Sequence, residues 1–313
     1  MTPHINGLHH VTATVNDAQE DLDFYTRLLG LRLVKKTVNF DNPSVYHFYY
    51  GNAAGTPGTI MTTFPYKDKG VRVGAKGVGQ ITMTSFSVPA ASLAFWENRL
   101  VHQGVPVRKV KPRFGEETLT FDDPSGLVLA LIATDQDDRP PWPTDEVEAA
   151  CAIRGIHSVI LTIPSLAPTR RLLEDVLGFG VLGEADNRMR FGVGSGSPGT
   201  VLDVLHLPDA PRAVNGLGTV HHVALAVGTD DEQYALRDAL LGLGYHVTEV
   251  KDRQYFRSIY FREPGGVLLE IATEGPGFMI DEDARALGRS LKLPPWEEPH
   301  RTAIEAALAD VTH

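Results

Sequence analysis

Cysteine is almost absent from this sequence, since Cys151 is the only one in 313 residues. A chain with one cysteine cannot form an intramolecular disulfide, and it cannot build a metal cluster held by several thiolates. If the protein binds a metal, we therefore expect histidine, aspartate or glutamate side chains to be the ligands.

Long apolar runs are also missing, and so is any excess of basic residues. No stretch approaches the roughly 18 apolar residues of a membrane span, and the N-terminus lacks the basic and then apolar pattern of a signal peptide. The 29 Lys and Arg residues against 39 Asp and Glu residues give a net charge of −10. We expect a cytoplasmic protein that binds neither membranes nor nucleic acid. The sequence is compatible with a monomer or a homo-oligomer.

An internal repeat runs through the chain. Residues 7–30 match residues 155–178 at an offset of 148, and residues 104–134 match residues 244–274 at an offset of 140. Each repeat predicts a strand, a helix and then three strands. In the first repeat, Asn16 and Asp17 can cap a helix that ends at Gly30. We predict an α+β fold of four βαβββ modules arranged in two tandem domains.

The predicted domains comprise residues 1–135 and residues 154–275. A proline-containing, acidic linker at residues 136–153 separates them, and a tail follows at residues 276–313. Within the tail we predict a short helix from Pro299 to about Leu308. We expect the tail to pack over the second half of the chain.

Two histidine doublets occupy matched places near the two ends of the repeat, His9-His10 in the first module and His221-His222 in the fourth. If these two modules share one cup, the doublets meet there. Glu270 is the one charged residue in the apolar run 267–271. An ionised carboxylate in an apolar strand is unfavourable unless it is paired or bound to a cation.

The modules differ in the residues that they offer to a cup. From module one to module four, the aligned position in the first strand holds His10, Met83, Ser158 and His222. The aligned position in the last strand holds Thr62, Ala130, Asp203 and Glu270. Modules one and four thus supply two imidazoles and one carboxylate, which is typical of non-haem Fe(II) sites that leave positions open for substrate and dioxygen. A single histidine in a strand is more often a packing residue, but matched doublets with an acid favour a metal. We interpret Asp203 as structural, because its partner Ser158 is not an imidazole.

The chain resembles the vicinal oxygen chelate superfamily of glyoxalases, bleomycin resistance proteins and extradiol dioxygenases, whose βαβββ modules pair into half-open barrel cups that hold metal. Within it, the chain is most similar to hydroquinone-type ring-cleaving dioxygenases. The resemblance covers nearly the whole sequence, and its most specific motifs are the opening segment 7–12, the His221-His222 doublet, Glu270 within segment 264–273, and Leu293-Pro294-Pro295-Trp296.

This resemblance implies that His10, His222 and Glu270 bind Fe(II), with Mn(II) as an alternative metal. It also implies that Thr12, Arg253 and Tyr260 lie near the metal. Thr12 follows His10 by two residues and shares its strand face, and Tyr260 can reach Glu270 if the last two strands form a hairpin. Arg253 has a competing structural interpretation, because Arg113 fills the equivalent place in module two.

The first histidine of each doublet, His9 or His221, points to the opposite face of a regular strand. We therefore predict that His9 and His221 are outer hydrogen-bonding partners or proton carriers instead of ligands.

The resulting hypothesis is an Fe(II)-dependent ring-cleaving dioxygenase that inserts O2 next to a hydroxyl-bearing carbon of a hydroquinone or related phenolic or catecholic substrate. Two alternatives remain at this point. A glyoxalase-like isomerase or lyase would use another divalent metal and a fourth protein ligand where Thr62 stands, and a resistance-type small-molecule-binding protein would use no metal.

Overall fold

The computed structural model describes residues 4–313, in which one βαβββ unit occurs four times. The first module comprises β1 (Gly7–Val15), α1 (Ala18–Leu22), β2 (Arg32–Asn39), β3 (Asn42–Gly51) and β4 (Ile60–Pro65). The second comprises β5 (Gln80–Val88), α2 (Leu93–His102), β6 (Arg108–Arg113), β7 (Glu116–Asp122) and β8 (Val128–Ala133).

The second half of the chain repeats this order. The third module comprises β9 (Gly155–Ile163), α3 (Leu166–Arg171), β10 (Gly180–Ala185), β11 (Arg188–Gly192) and β12 (Val201–His206). The fourth comprises β13 (Thr219–Val227), α4 (Asp230–Gly242), β14 (Lys251–Asp252), β15 (Arg257–Arg262) and β16 (Leu268–Thr273). The tail contains 3₁₀ turns at Phe278–Ile280 and Glu298–His300, followed by α5 (Arg301–Ala307). The predicted module order is therefore confirmed.

The strands of residues 4–313 form two eight-stranded sheets, and each sheet joins a module from one half to a module from the other. The strand orders are β14-β15-β16-β13-β1-β4-β3-β2 and β10-β11-β12-β9-β5-β8-β7-β6. We call the concave face of modules one and four the first cup, and that of modules two and three the second cup. The α+β fold and the shared cup of the first and last modules are confirmed. The exact domain, linker and tail boundaries stay predictions.

Helix α1 begins and ends as its sequence predicts. The Asp17 side chain accepts hydrogen bonds from the backbone N–H groups of Gln19 and Glu20, and Gly30 follows the helix with φ +69°. Between these points the helix widens into a π-helix at Asp23–Leu28, and α3 does the same at Leu172–Val176. The duplicated halves thus share even this irregularity.

Strand β1 shows how the sheet separates the core from the first cup. Val11 and Ala13 are completely buried among the apolar residues of the core, whereas His10 and Thr12 line the cup. Alternate residues of a strand face opposite sides, so one strand serves both the core and the site.

Only the start of the tail packs on the second half, where Phe278 and Asp281 contact Tyr255, and the rest packs on the first module, so the prediction is wrong for most of the tail. Its residue Leu291 forms a parallel bridge with Lys36 of β2, the edge strand of the first sheet, and the Trp296 ring packs against Phe40. The reason is that β2 carries a fully buried ammonium and an open edge. Lys35 Nζ lies 2.5 Å from Asp281 Oδ1, and it also pairs with another tail residue, Glu282.

Helix α5 falls inside the predicted range 299–308. None of the helices within residues 4–313 combines the length and the apolar character that a membrane crossing requires.

Candidate active site

Three adjacent strands at the middle of the first sheet bring the predicted ligands together. His10 lies on β1, His222 on β13 and Glu270 on β16, and the side chains of all three are buried. Glu270 Oε2 is 2.8 Å from His222 Nε2 and 3.3 Å from His10 Nε2, and the two nitrogens are 3.2 Å apart. Within residues 4–313 this trio is the one set of His, Cys, Asp or Glu side chains with metal-ligand spacing.

The spacing of these donor atoms fits a metal. Ligand atoms on one face of an octahedral ion with bonds of about 2.1 Å are separated by about 3.0 Å. Glu270 Oε2 is buried and has no hydrogen bond of acceptable geometry, even though an imidazole nitrogen is close to it. A buried carboxylate oxygen in this state favours a nearby cation, and two imidazoles with one carboxylate form a suitable donor set.

The charge states of the ligands also suit a metal. Burial by itself raises the pKa of Glu270, but His10 and His222 outweigh it and hold this pKa well below the usual range. Burial lowers the pKa of His222, and Glu270 opposes this effect only in part. An ionised carboxylate and a neutral imidazole are the forms that coordinate metal ions.

Both histidine doublets lie at β-bulges, so the expectation of opposite-facing side chains is wrong. In the pairing of β1 with β13, the register shifts twice. The first shift lies on β1 between Leu8 and His10, and the second lies on β13 between Val220 and His222. A bulge puts two residues opposite one and re-aims the side chain, which regular alternation does not allow. The extra residues are His9 and His221.

The bulges make the two rings of each doublet meet. His9 Nδ1 lies 2.9 Å from His10 Nδ1, and His221 Nδ1 lies 2.7 Å from His222 Nδ1. Burial, with a further effect of His10, lowers the pKa of His9 to about 3, so its neutral ring can accept a hydrogen bond. With the proton on Nδ1 of His10, the lone pair of His10 Nε2 faces Glu270.

The three remaining predicted residues also reach the first cup. The Thr12 hydroxyl accepts a hydrogen bond of 2.9 Å from Thr62. Tyr260 stands directly opposite Glu270 in the β15–β16 pair, and Arg253 Nε donates to its hydroxyl at 3.1 Å. The Arg253 guanidinium is held from its other side by Asp41. Burial raises the pKa of Tyr260, Glu270 adds to the rise, and Arg253 opposes it.

Several site residues were not found from the sequence. Ser258 donates a short hydrogen bond to Glu270 Oε1, and its position two residues before Tyr260, on the same strand face, could have revealed it. His47 lies on β3, and its Nε2 is 2.9 Å from Thr62 Oγ1. Phe256 packs against the rings of both His9 and His10. Neither His47 nor Phe256 belongs to a sequence motif, because their proximity depends on sheet pairing.

A cavity of about 280 Å³ lies above the ligand trio. Its walls combine aromatic rings with polar groups, and beyond the residues already placed they include Asn39, Phe40, Asp41, Tyr49, Phe64 and Tyr66. His221 also lines it, whereas His9 does not. The cavity can hold one small aromatic molecule beside the donor atoms.

Residues 7–131 and 155–271 match the family model described as the Glyoxalase/Bleomycin resistance protein/Dioxygenase superfamily. The chain belongs to this superfamily. This confirms the resemblance to vicinal oxygen chelate proteins, and the two matched segments are the two halves of the internal repeat.

Similar proteins of this superfamily cover almost the same length. The chain is 44% identical over 302 residues to a Bacillus subtilis protein named "Putative ring-cleaving dioxygenase MhqO", covering 96% of this chain and 95% of the other. It is 38% identical over 313 residues to the chlorohydroquinone/hydroquinone 1,2-dioxygenase of Sphingobium indicum, covering 98% and 97%. A crystal structure of a Bacillus subtilis protein superposes with a TM-score of 0.94 at 43% identity, covering 99% and 98%.

Proposed function

We propose that this protein is a non-haem Fe(II) dioxygenase that cleaves a hydroquinone or a related phenolic ring next to a hydroxyl-bearing carbon. The observation that carries the proposal is the trio of His10, His222 and Glu270 at the floor of an aromatic-lined cavity. Full-length similarity to a chlorohydroquinone/hydroquinone 1,2-dioxygenase supports the substrate class.

The metal is assigned to His10 Nε2, His222 Nε2 and Glu270 Oε2. Bound Fe(II), or Mn(II) in its place, would supply open coordination positions and the one-electron chemistry that dioxygen requires to react with an aromatic ring. The hydrogen bond from Ser258 to Glu270 Oε1 leaves Oε2 directed at the histidines.

The outer histidines hold the ligands in the required tautomer. His9 and His221 each place Nδ1 within hydrogen-bonding distance of Nδ1 of the neighbouring ligand histidine. This contact turns Nε2 of each ligand toward Glu270. His221 lines the cavity and is open to solvent, whereas His9 is buried.

Tyr260 and Arg253 orient the substrate. The pair is fixed by the Arg253–Tyr260 hydrogen bond and the Arg253–Asp41 ion pair, so both polar groups enter the cavity already positioned. A positioned phenol and guanidinium favour a substrate in its phenolate form and stabilise negative charge that develops on oxygen. Thr12 adds a hydroxyl on the β1 side of the ligands.

The position of Thr62 separates this proposal from the isomerase alternative. Its hydroxyl contacts both Thr12 and His47, so it is already committed to hydrogen bonds at the place where a fourth ligand would stand. The buried, unpaired Glu270 Oε2 argues against a metal-free binding protein.

The test is anaerobic reconstitution of the full chain with Fe(II), followed by oxygen uptake with hydroquinone. We expect one O2 consumed per hydroquinone and both atoms of isotopically labelled dioxygen in a ring-opened carboxylic acid. Glu270→Gln, which keeps the shape of the side chain and loses its charge, is the matched control. Turnover of a methylglyoxal hemithioacetal without oxygen would instead support the isomerase, and failure of the wild type to retain metal would support the binding protein.

A further inference from the structure

The second cup has the same frame as the first but a different set of charges. Arg190 on β11 pairs with Asp203 on β12 in the register that Tyr49 on β3 has with Thr62 on β4. Arg188 therefore stands in the second cup where His47 stands in the first. A cavity of about 210 Å³ remains between these strands.

Positive charge is in excess around this cavity. Its lining includes four basic residues and two acids, Lys111, Arg113, Arg188, Arg190, Glu116 and Asp203. Arg190 holds both acids, with Nε 2.8 Å from Asp203 and a terminal nitrogen 2.6 Å from Glu116. Arg188 reaches Asp203 only at 3.6 Å, and the nearest acid to Arg113 is Asp186 at 4.0 Å.

Two hydrogen-bonding groups at the cavity have no partner. The Ser85 hydroxyl is completely buried, lines the cavity and makes no hydrogen bond. Arg188 Nε is likewise buried without an acceptor. Burial, together with the charges of Arg113 and Arg190, lowers the pKa of Arg188 against the opposing effect of Asp203. Unpaired donors and surplus positive charge in a partly buried space favour an anionic ligand with acceptor oxygens.

The rest of the wall consists of two threonines, Thr118 and Thr120, and an apolar surface formed by Met83, Val110 and Ile132. A fully hydrated inorganic anion makes no use of such a surface. We propose that the second cup is a binding site for a small organic carboxylate, with the carboxylate on Arg188 and Ser85 and the apolar body against Met83 and Ile132. This site is separate from the ligand trio and does not depend on the reaction proposed for the first cup.

Calorimetric titration of the metal-loaded full chain with benzoate tests the proposal. Benzamide is the uncharged control of the same shape, and inorganic phosphate is the control anion without an apolar group. We expect benzoate to bind and benzamide and phosphate to bind at least about tenfold more weakly, because charge-assisted hydrogen bonds and apolar contact are both required. Arg188→Met should weaken benzoate binding by about tenfold or more. Ser85→Ala removes only the hydroxyl oxygen and should weaken benzoate binding by a few fold.

A variant of the first cup, Arg253→Met, tests which of the two cups binds benzoate. Arg253→Met should leave benzoate affinity unchanged if the second cup is the site. No heat of benzoate binding up to about 10 mM, phosphate binding as tight as benzoate, or loss of binding in Arg253→Met but not in Arg188→Met would each overturn the proposal. Thermal unfolding of each variant shows whether a loss of binding reflects a loss of fold, and in that case the Ser85→Ala titration decides.

Discussion

The two cups are built on the same strand order, but the buried acid in each has different neighbours. In the first cup Glu270 is completely buried, and Oε2 has two imidazoles near it but no cationic side chain. In the second cup Asp203 is also buried, and the Arg190 guanidinium neutralises it. A buried carboxylate needs a positive partner in both cases. The first cup leaves that place to a metal ion, whereas the second fills it with a side chain.

The difference depends on very few positions. Glu270 is replaced by Ala130 in the second module, and His10 is replaced by Ser158 in the third. On the neighbouring strand, Tyr49 of the first cup is replaced by Arg190. The backbone of a βαβββ pair therefore does not specify a metal site, and the residues at the aligned positions decide what the cup can bind.

The largest expected effect is the loss of metal from the first cup. Glu270→Ala removes the one anionic ligand, so we expect metal content near zero and a loss of ring-cleaving activity of about a thousandfold or more. Metal analysis of protein purified without oxygen measures the first effect. The corresponding change in the second cup, Asp203→Asn, should leave metal content as in the wild type. Equal metal retention in Glu270→Ala would refute the assignment of the first cup.

The second prediction removes the internal cation of the second cup. Arg190→Met leaves Asp203 and Glu116 without their main partner, and we expect the free energy of unfolding to fall by about 3 kcal/mol. Urea unfolding of metal-loaded protein provides the measurement. Tyr49→Phe, at the same register in the first cup, should cost less than about 1 kcal/mol, since no hydrogen bond of its hydroxyl is found among the described residues. Similar losses in both variants would contradict the comparison.

The third prediction concerns the group that faces Glu270 across the strand pair. Tyr260→Phe removes the hydroxyl that Arg253 holds, and we expect kcat to fall by about a hundredfold with metal content unchanged. In the second cup Thr120 occupies the same register opposite Ala130. Thr120→Val should therefore leave kcat at the wild-type level. Steady-state oxygen uptake measures kcat in both variants. A wild-type kcat in Tyr260→Phe would show that the Tyr260 hydroxyl has no role in the reaction.

The fourth prediction concerns the layer behind the cups, where α1 and α3 differ. Asp21 of α1 accepts hydrogen bonds from Tyr50 and Thr63, and burial, with a contribution from Asp123, raises its pKa from 3.8 to about 8. Between these two values the folded protein keeps a proton that the unfolded chain releases. The stability contributed by this group is therefore complete below pH 4 and declines as pH rises toward 8.

Asp21→Asn cannot titrate, so its stability relative to the wild type should increase with pH between 5 and 8, by about 1 kcal/mol for each pH unit. Thr169 is the corresponding residue of α3, and its hydroxyl donates to Glu263. Thr169→Val should show a pH-independent difference from the wild type. Urea unfolding across this range makes the comparison, and a constant difference for Asp21→Asn would show that the carboxyl is ionised in the folded protein.

The module order and the ligand trio could be predicted because the repeat aligns equivalent positions. Once the first and last modules share a sheet, His10, His222 and Glu270 come to lie close together. Glu270 can be recognised in the sequence because it is an acid within an apolar run. The structural interpretation of Asp203 was reached from its partner Ser158, although Arg190, which actually neutralises it, had no signal in the alignment.

Other features could not be predicted, for different reasons. The bulges at His9 and His221 add one residue to a pairing, and nothing in a strand of ordinary composition reveals that extra residue. The tail docks on β2 because Lys35 is buried there and needs acidic partners, which becomes apparent only when the edge strand is placed. His47 reaches the cavity through cross-strand neighbours, so it was missed.

By itself the sequence determined that the chain is a fourfold repeat with one set of metal-type ligands, because alternation along strands and the spacing of the repeats are local properties. Tertiary structure alone decided which rings touch, which acid lacks a partner and where the tail lies. Hydrogen bonds and ion pairs act over a few ångströms between strands that are more than two hundred residues apart in the chain, as His10 and His222 are. Such contacts are set by how the sheets close, and no periodicity encodes them.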